Sequence, residues 1–208
     1  MIDARARSPL AHRAPLAGDD LRLAERPFEG LLALRGEADE IDPAFGAATG
    51  LALPRACRGT SRGPGSSALW LAPDEWLVVT PAVEDAARLA TELAAALAGL
   101  RHQVVDVSDY YTVVQVSGRA TRAALAKLVA LDLHPRAWRR DEVLGTHLAK
   151  AIVQIWLVAD EADAGGAEAR VVVRRSLADY VWCLLAEAGR EWGLDPQRPI
   201  GRVRLEAV

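Results

Sequence analysis

The chain has 208 residues, 51% of them hydrophobic, and its 25 Lys and Arg against 28 Asp and Glu leave a net charge of −3. That apolar content suits a globular protein with one substantial core or two small ones packed together. The charge balance excludes a positive field able to draw in nucleic acid or an anionic membrane. Cys57 and Cys183 are far apart and lack CxxC spacing, which suits a reducing, cytoplasmic compartment and offers no zinc or iron–sulfur framework.

Residues 1–27 are broken by Arg5, Arg7 and Arg13, never build a signal-peptide core, and are expected to be a flexible N-terminal arm. No later segment reaches the roughly 20 apolar residues that span a bilayer, so no membrane segment is expected. "FEGLLALRG" (28–36) reads as a strand, and the Gly- and Pro-rich stretch 37–66 as a long surface loop. Inside that loop "GPGSSA" (63–68) has the letters of a dinucleotide fingerprint but lacks the preceding strand and following helix that the chemistry requires. "ALWLAPDEWLVVT" (68–80) reads as a hairpin around Pro73-Asp74. Thr80 and Pro81 then resemble a helix start, and Leu89, Leu93 and Leu97 recur every four residues, predicting a helix over 82–98.

The second half repeats this grammar. "HQVVDVSDYYTVVQVSG" (102–118) reads as strand, turn at Ser108-Asp109 and strand, with Ser117 placed to cap a helix carrying Ala124, Leu125, Leu128 and Val129 on one face. "THLAKAIVQIWLVAD" and "AEARVVVRR" are extended runs around the hydrophilic "EADAGG". The last helix is expected to start at Ser176, with Asp179 completing a capping box and Leu177, Tyr180, Val181, Leu184 and Leu185 turned inward. These elements predict an α+β fold of two interlocked ferredoxin-like modules, with antiparallel or mixed sheets covered by helices. The first module is expected over 28–100, the second over 101–195, and a C-terminal tail over 196–208.

The stretch "LDLHPRAW" (131–138) concentrates chemically suggestive residues. His12, His102, His134 and His147 show no HExxH pair and no nearby cysteine pair, and no GxSxG elbow is present. No catalytic, cofactor-binding or metal residue is therefore assigned. Two readings of the stretch stand. Pro135 forbids continuation of the preceding helix, which makes a plain helix stop. Alternatively, His134, Pro135, Arg136 and Trp138 form a partner-facing loop, since Arg and Trp are the residue types that become interface anchors. Four other tryptophans, Trp70, Trp76, Trp156 and Trp182, read as core or sheet-face packing. Arg174 and Arg175 end a strand, where alternation sends one to each face, so one is expected near solvent and the other to meet a carboxylate, either within the chain or, as the preferred reading, on a partner.

"VVDVSDYYTVVQVSG", a short helix, "LDLHPRAW", an apolar hairpin and "VVVRRSLADYVWCLL" resemble, in that order, the gamma subunit of heterotetrameric sarcosine oxidase. "LAPDEWLVV" is similar to that family's first hairpin, and the resemblance covers roughly residues 67–192. Its specific parts are Asp132 to Arg136 and Arg174 to Tyr180, while the first 60 residues match weakly. The resemblance implies a fold like the folate-binding domains of glycine-cleavage aminomethyltransferases. It further implies a cofactor-free subunit docked on alpha, alongside beta and delta, with FAD, FMN, NAD, tetrahydrofolate and zinc on the partner subunits. The complex oxidises sarcosine to glycine, forms hydrogen peroxide and passes the one-carbon unit to tetrahydrofolate. The rival is a free-standing folate-binding or aminomethyltransferase-like protein, for which the chain is short. The folate-dependent iron–sulfur repair proteins carry a KGC-x-x-GQE signature that is missing here.

Overall fold

The computed structural model describes residues 7–160 and 165–196. In chain order the elements are β1 (Leu16–Ala17), β2 (Arg22–Arg26), β3 (Gly30–Gly36), α1 (Ala38–Thr49), β4 (Thr60–Arg62), β5 (Ser67–Ala72), β6 (Glu75–Thr80) and α2 (Val83–Ala96). There follow β7 (His102–Asp106), β8 (Tyr111–Gly118), α3 (Thr121–Ala126), β9 (Val143–Leu148), β10 (Ala151–Ala159), β11 (Ala167–Arg174) and α4 (Ala178–Ala188). The strands make a six-stranded sheet, β1-β2-β8-β11-β10-β9, and a five-stranded sheet, β4-β5-β6-β3-β7, with every pair antiparallel.

Consecutive apolar residues along the central strands are explained by sheets covered on both faces. On β3, Leu32 and Leu34 pack toward α1 and α2 with Ile41, Phe45, Leu89 and Leu93, while Leu31 points the other way. On β11, Val171 and Val173 pack with Val181, Trp182 and Leu185 of α4, while Val172 joins Leu31. That shared middle layer also holds Leu69, Leu77 and Val79 of the five-stranded sheet and Val113, Trp156 and Val158 of the six-stranded one. The order of layers is therefore helices, sheet, sheet, helices. Each fully buried Val or Leu contributes about 1.5–3 kcal/mol, so the middle layer holds the two sheets face to face.

The first sheet has ferredoxin-like order: in β3-α1-β5-β6-α2-β7, the first strand lies between the third and the fourth. The second follows the same plan over β8-α3-β10-β11-α4, but the place beside β8 is filled by β2 from the N-terminal segment. This exchange interlocks the modules. It also corrects the expected flexible arm over 1–27: from Arg7 onward the segment is docked, with Leu10, Leu16, Leu21 and Leu23 buried. Residues 1–6 of that arm, and 197–208 of the expected tail, lie outside the described residues.

Three further expectations change. The expected loop 37–66 contains α1 and β4; Pro43 sits on the exposed side of α1, and Gly50 ends that helix at φ 72° with its N–H donating to the Gly46 carbonyl. The Ser108-Asp109 turn between two strands forms as expected, but it joins different sheets, because β7 pairs with β3 in one and β8 with β11 in the other. Thr80, Ser117 and Ser176 cap nothing: α2, α3 and α4 have Ala82, Ala120 and Leu177 at their N-caps. Tyr180 is exposed rather than inward. The 68–80 hairpin and the leucine-faced helix after it form as expected, with Trp70 opposite Trp76.

Candidate functional site

The corner at 131–140 is a tightly bonded turn. Asp132 Oδ1 accepts the His134 N–H at 2.9 Å, and the His134 carbonyl accepts the N–H groups of Ala137 and Trp138 at 2.8 and 3.0 Å. His134 Nδ1 accepts the Arg136 N–H at 3.2 Å. Beneath the turn, Arg122 of α3 donates to the carbonyls of Leu133 and Trp138 at 2.7 and 3.0 Å and to Asp160 at 2.7 Å. Its guanidinium carbon lies 5.3 Å from the centre of the Trp138 ring. Trp138 is 0% exposed and its indole N–H donates to the Glu142 carbonyl, so the expected partner-facing Trp138 is a core residue. His134, Pro135 and Arg136 remain on the surface.

At the end of β11 neither arginine enters the core. Arg174 is exposed, with its guanidinium 5.3 Å from the Tyr110 ring centre. Arg175 lies in the short 3-10 turn beyond the strand and donates to the carbonyls of Asp109 and Arg7 at 3.2 and 2.9 Å. It also approaches the Asp109 carboxylate at 3.5 Å. The two arginines thus separate into one held within the chain and one without a carboxylate partner among the described residues.

Arg175 lines a cleft of ≈ 580 Å³, which lies where the chain passes twice between the sheets. One passage is Pro27 to Glu29, linking β2 to β3; the other is Val107 to Tyr110, linking β7 to β8. The passages are clamped together, since the Ser108 hydroxyl accepts the Leu31 N–H at 2.9 Å and the Val107 N–H donates to the Leu31 carbonyl at 2.8 Å. Arg7, Arg26, Phe28, Glu29, Tyr111 and Arg175 are among the lining residues. Arg26 donates to the buried Glu29, whose same oxygen lies 3.5 Å from Arg170. Phe28 has φ 62° and is 49% exposed.

The N-terminal segment closes one side of the cleft. The Ser8 hydroxyl donates to Glu25, which also accepts from Thr112 at 2.7 Å. Farther along, Arg13 donates to both oxygens of Asp179 at 2.7 and 3.0 Å, and His12 Nε2 lies 2.8 Å from the same carboxylate. The Arg13 hydrogen bond, aided by His12, holds the Asp179 carboxyl below its usual range despite partial burial. Burial raises the neighbouring Cys183 thiol above its ordinary value, which disfavours a thiolate there. The docking of the N-terminal segment and the exposed Phe28 have no marked signature in the sequence; the signal available is an isolated Pro-Phe between two charged residues.

Among the described residues no group of three or more His, Cys, Asp or Glu is placed to hold a metal ion. The fingerprint letters at 63–68 form the turn 63–66 between β4 and β5 and the first two residues of β5, the turn being closed by a Gly63 N–H to Ser66 carbonyl bond of 2.9 Å. That geometry presents no helix N-terminus to a pyrophosphate. Among the described residues no helix is long and apolar enough to cross a membrane.

Residues 35–191 match the model of the sarcosine oxidase, gamma subunit family. The chain is similar to the sarcosine oxidase subunit gamma of an Arthrobacter species, 36% identical over 64% of each chain, so the match spans less than two thirds of that relative. Similarity to the subunit gamma of Corynebacterium sp. strain U-96 is 33% identity over 92% of this chain and 95% of the relative. The fold also matches a chain of the heterotetrameric sarcosine oxidase from Corynebacterium sp. U-96 in complex with pyrrole 2-carboxylate, at TM-score 0.79 and 31% identity. That match covers 91% of this chain and 97% of the other. A glycine cleavage system aminomethyltransferase T from Bartonella henselae shares the fold at TM-score 0.61 and 13% identity, over 83% of this chain and 47% of that one. Matched in sequence over most of its length and in structure through both interlocked modules, the chain belongs to the sarcosine oxidase gamma subunit family.

Proposed function

We propose that this chain is the non-catalytic gamma subunit of a cytoplasmic heterotetrameric sarcosine oxidase and that it docks on alpha beside beta and delta. In this reading the partner subunits hold FAD, FMN, NAD, tetrahydrofolate and zinc. The complex oxidises sarcosine to glycine, forms peroxide and delivers the one-carbon unit to tetrahydrofolate. The observation that carries the reading is the near-complete mutual coverage, 91% and 97%, with a chain of a heterotetrameric sarcosine oxidase. A supporting one is that charged side chains of the kind catalysts employ are set in structural roles here: Arg122 under the 131–140 corner, Arg13 on Asp179, Arg26 on Glu29. The docking surface in this reading includes the exposed corner His134, Pro135 and Arg136 and the unneutralised Arg174, with Arg175 buttressing from behind. The test is purification of the chain alone: it is expected to be colourless, low in metal and inactive toward sarcosine. Flavin absorbance or stoichiometric zinc in the isolated chain would contradict the proposal.

A further inference from the structure

Resting on the subunit reading, we infer that the cleft between the two inter-sheet passages is the socket for an acidic segment of a partner subunit, with Phe28 in its lining and Tyr110 beside it as apolar anchors. Phe28 is the starting observation. It holds φ 62°, in the left-handed region that L residues with large side chains avoid, and its ring is nevertheless 49% exposed. Strain of this kind persists where surrounding structure enforces it and collects at functional positions. Here the enforcement is visible: Arg26 and Glu29 pair across Phe28, and Leu31 is bonded to Val107 and Ser108.

Tyr110 is 45% exposed and stands edge-on to Tyr111, a cleft residue, at a centroid distance of 4.7 Å and an interplanar angle of 89°. The Arg174 guanidinium rests against it. Arg7, Arg26 and Arg175 line the cleft and Arg174 lies against neighbouring Tyr110; Arg26 is matched by Glu29 and Arg175 by Asp109. Arg7 and Arg174 have no carboxylate partner among the described residues. The cleft and the surface beside it therefore combine two exposed aromatic rings with two cations lacking counter-charges, and aromatic and arginine side chains are the types that dominate interface energetics. The surplus positive charge specifies acidic groups on the occupant. Phe28 lines the cleft whereas Tyr110, between the lining residues Asp109 and Tyr111, does not, so a small anion in the cavity would leave Tyr110 uncovered, whereas an extended segment covers both. The chain's net charge of −3 does not favour nucleic acid.

The experiment uses wild-type chain and two variants, Phe28→Gly and Arg174→Glu, each co-expressed with the alpha, beta and delta chains, with subunit release followed by mass spectrometry. Glycine adopts φ 62° without strain, so Phe28→Gly is expected to melt as a free chain at or above the wild-type temperature while dissociating from the complex at least about tenfold faster. Arg174→Glu is expected to melt like wild type and to dissociate faster by a similar factor, with the difference shrinking in high salt. Wild-type-like dissociation of both variants from an assembled complex would overturn the socket while leaving the subunit reading intact. Failure of the wild-type chain to assemble at all would overturn both.

Discussion

Arg13 grips Asp179 through two hydrogen bonds, Nε to Oδ1 at 2.7 Å and Nη2 to Oδ2 at 3.0 Å, fastening the N-terminal segment to the first turn of α4. The guanidinium is 2% exposed and the carboxylate 48%, so the pair is half in solvent. Removing the cation with Arg13→Ala loses its charged hydrogen bonds and is expected to cost about 1–3 kcal/mol, discounted from a fully buried pair by the exposure of Asp179. Arg13→Lys loses the planar fork and should recover only part of this. Chemical denaturation of the three chains measures the difference, and a wild-type midpoint for Arg13→Ala would show that the grip contributes nothing.

The same pair sets a pH dependence. Arg13 first, then His12, lowers the Asp179 pKa in the folded chain. A lowered folded-state pKa contributes stability that is fully present above the unfolded carboxyl value of about 3.9 and is lost as pH falls through it toward the folded value. Melting temperature plotted against pH should therefore fall more steeply on the acid side for wild type than for Asp179→Asn. Parallel acid limbs would rule out this contribution.

Trp138 and Arg136 are two residues apart and should behave oppositely. Trp138→Ala empties a fully buried site beneath Arg122 and is expected to destabilise the free chain by about 3–5 kcal/mol. Arg136→Ala removes an exposed side chain and should stay within about 0.5 kcal/mol. Equal melting temperatures for the two variants would contradict the placement of the corner.

Ser176 lies in the 3-10 turn before α4, and the helix carries no side-chain cap at its N-terminus. Ser176→Ala is thus expected to change stability by less than about 0.5 kcal/mol, short of the roughly 1 kcal/mol typical of a lost N-cap. Urea titration distinguishes the two values.

Much of the fold was legible where local signals act alone. Pro73-Asp74 marks a turn between strands that pair directly, and Leu89, Leu93 and Leu97 draw one buried helical stripe. What stayed hidden depends on contacts distant in sequence. Ser108-Asp109 looks the same in a hairpin as in a passage between sheets, and only the pairing of β7 with β3 decides. The N-terminal leucines are too sparse to announce a strand, yet β8 offers an open edge on which Leu23 and its neighbours pair. Pro43 and Gly46 masked α1, whose buried Ile41 and Phe45 outweigh both. At the site, the order Arg136-Ala137-Trp138-Arg139 suggested an exposed aromatic, but the turn rotates Trp138 inward and leaves its neighbours outside. The cleft draws on residues from 7 to 175 and has no signature in any single stretch.

The central claim, membership as a subunit in a four-chain oxidase, is tested most directly by native mass spectrometry of this chain co-expressed with the alpha, beta and delta chains. The expected result is one assembly whose mass requires a single copy of this 22.3 kDa chain. An active assembly of the other three chains that excludes it, with this chain recovered free, would contradict the claim.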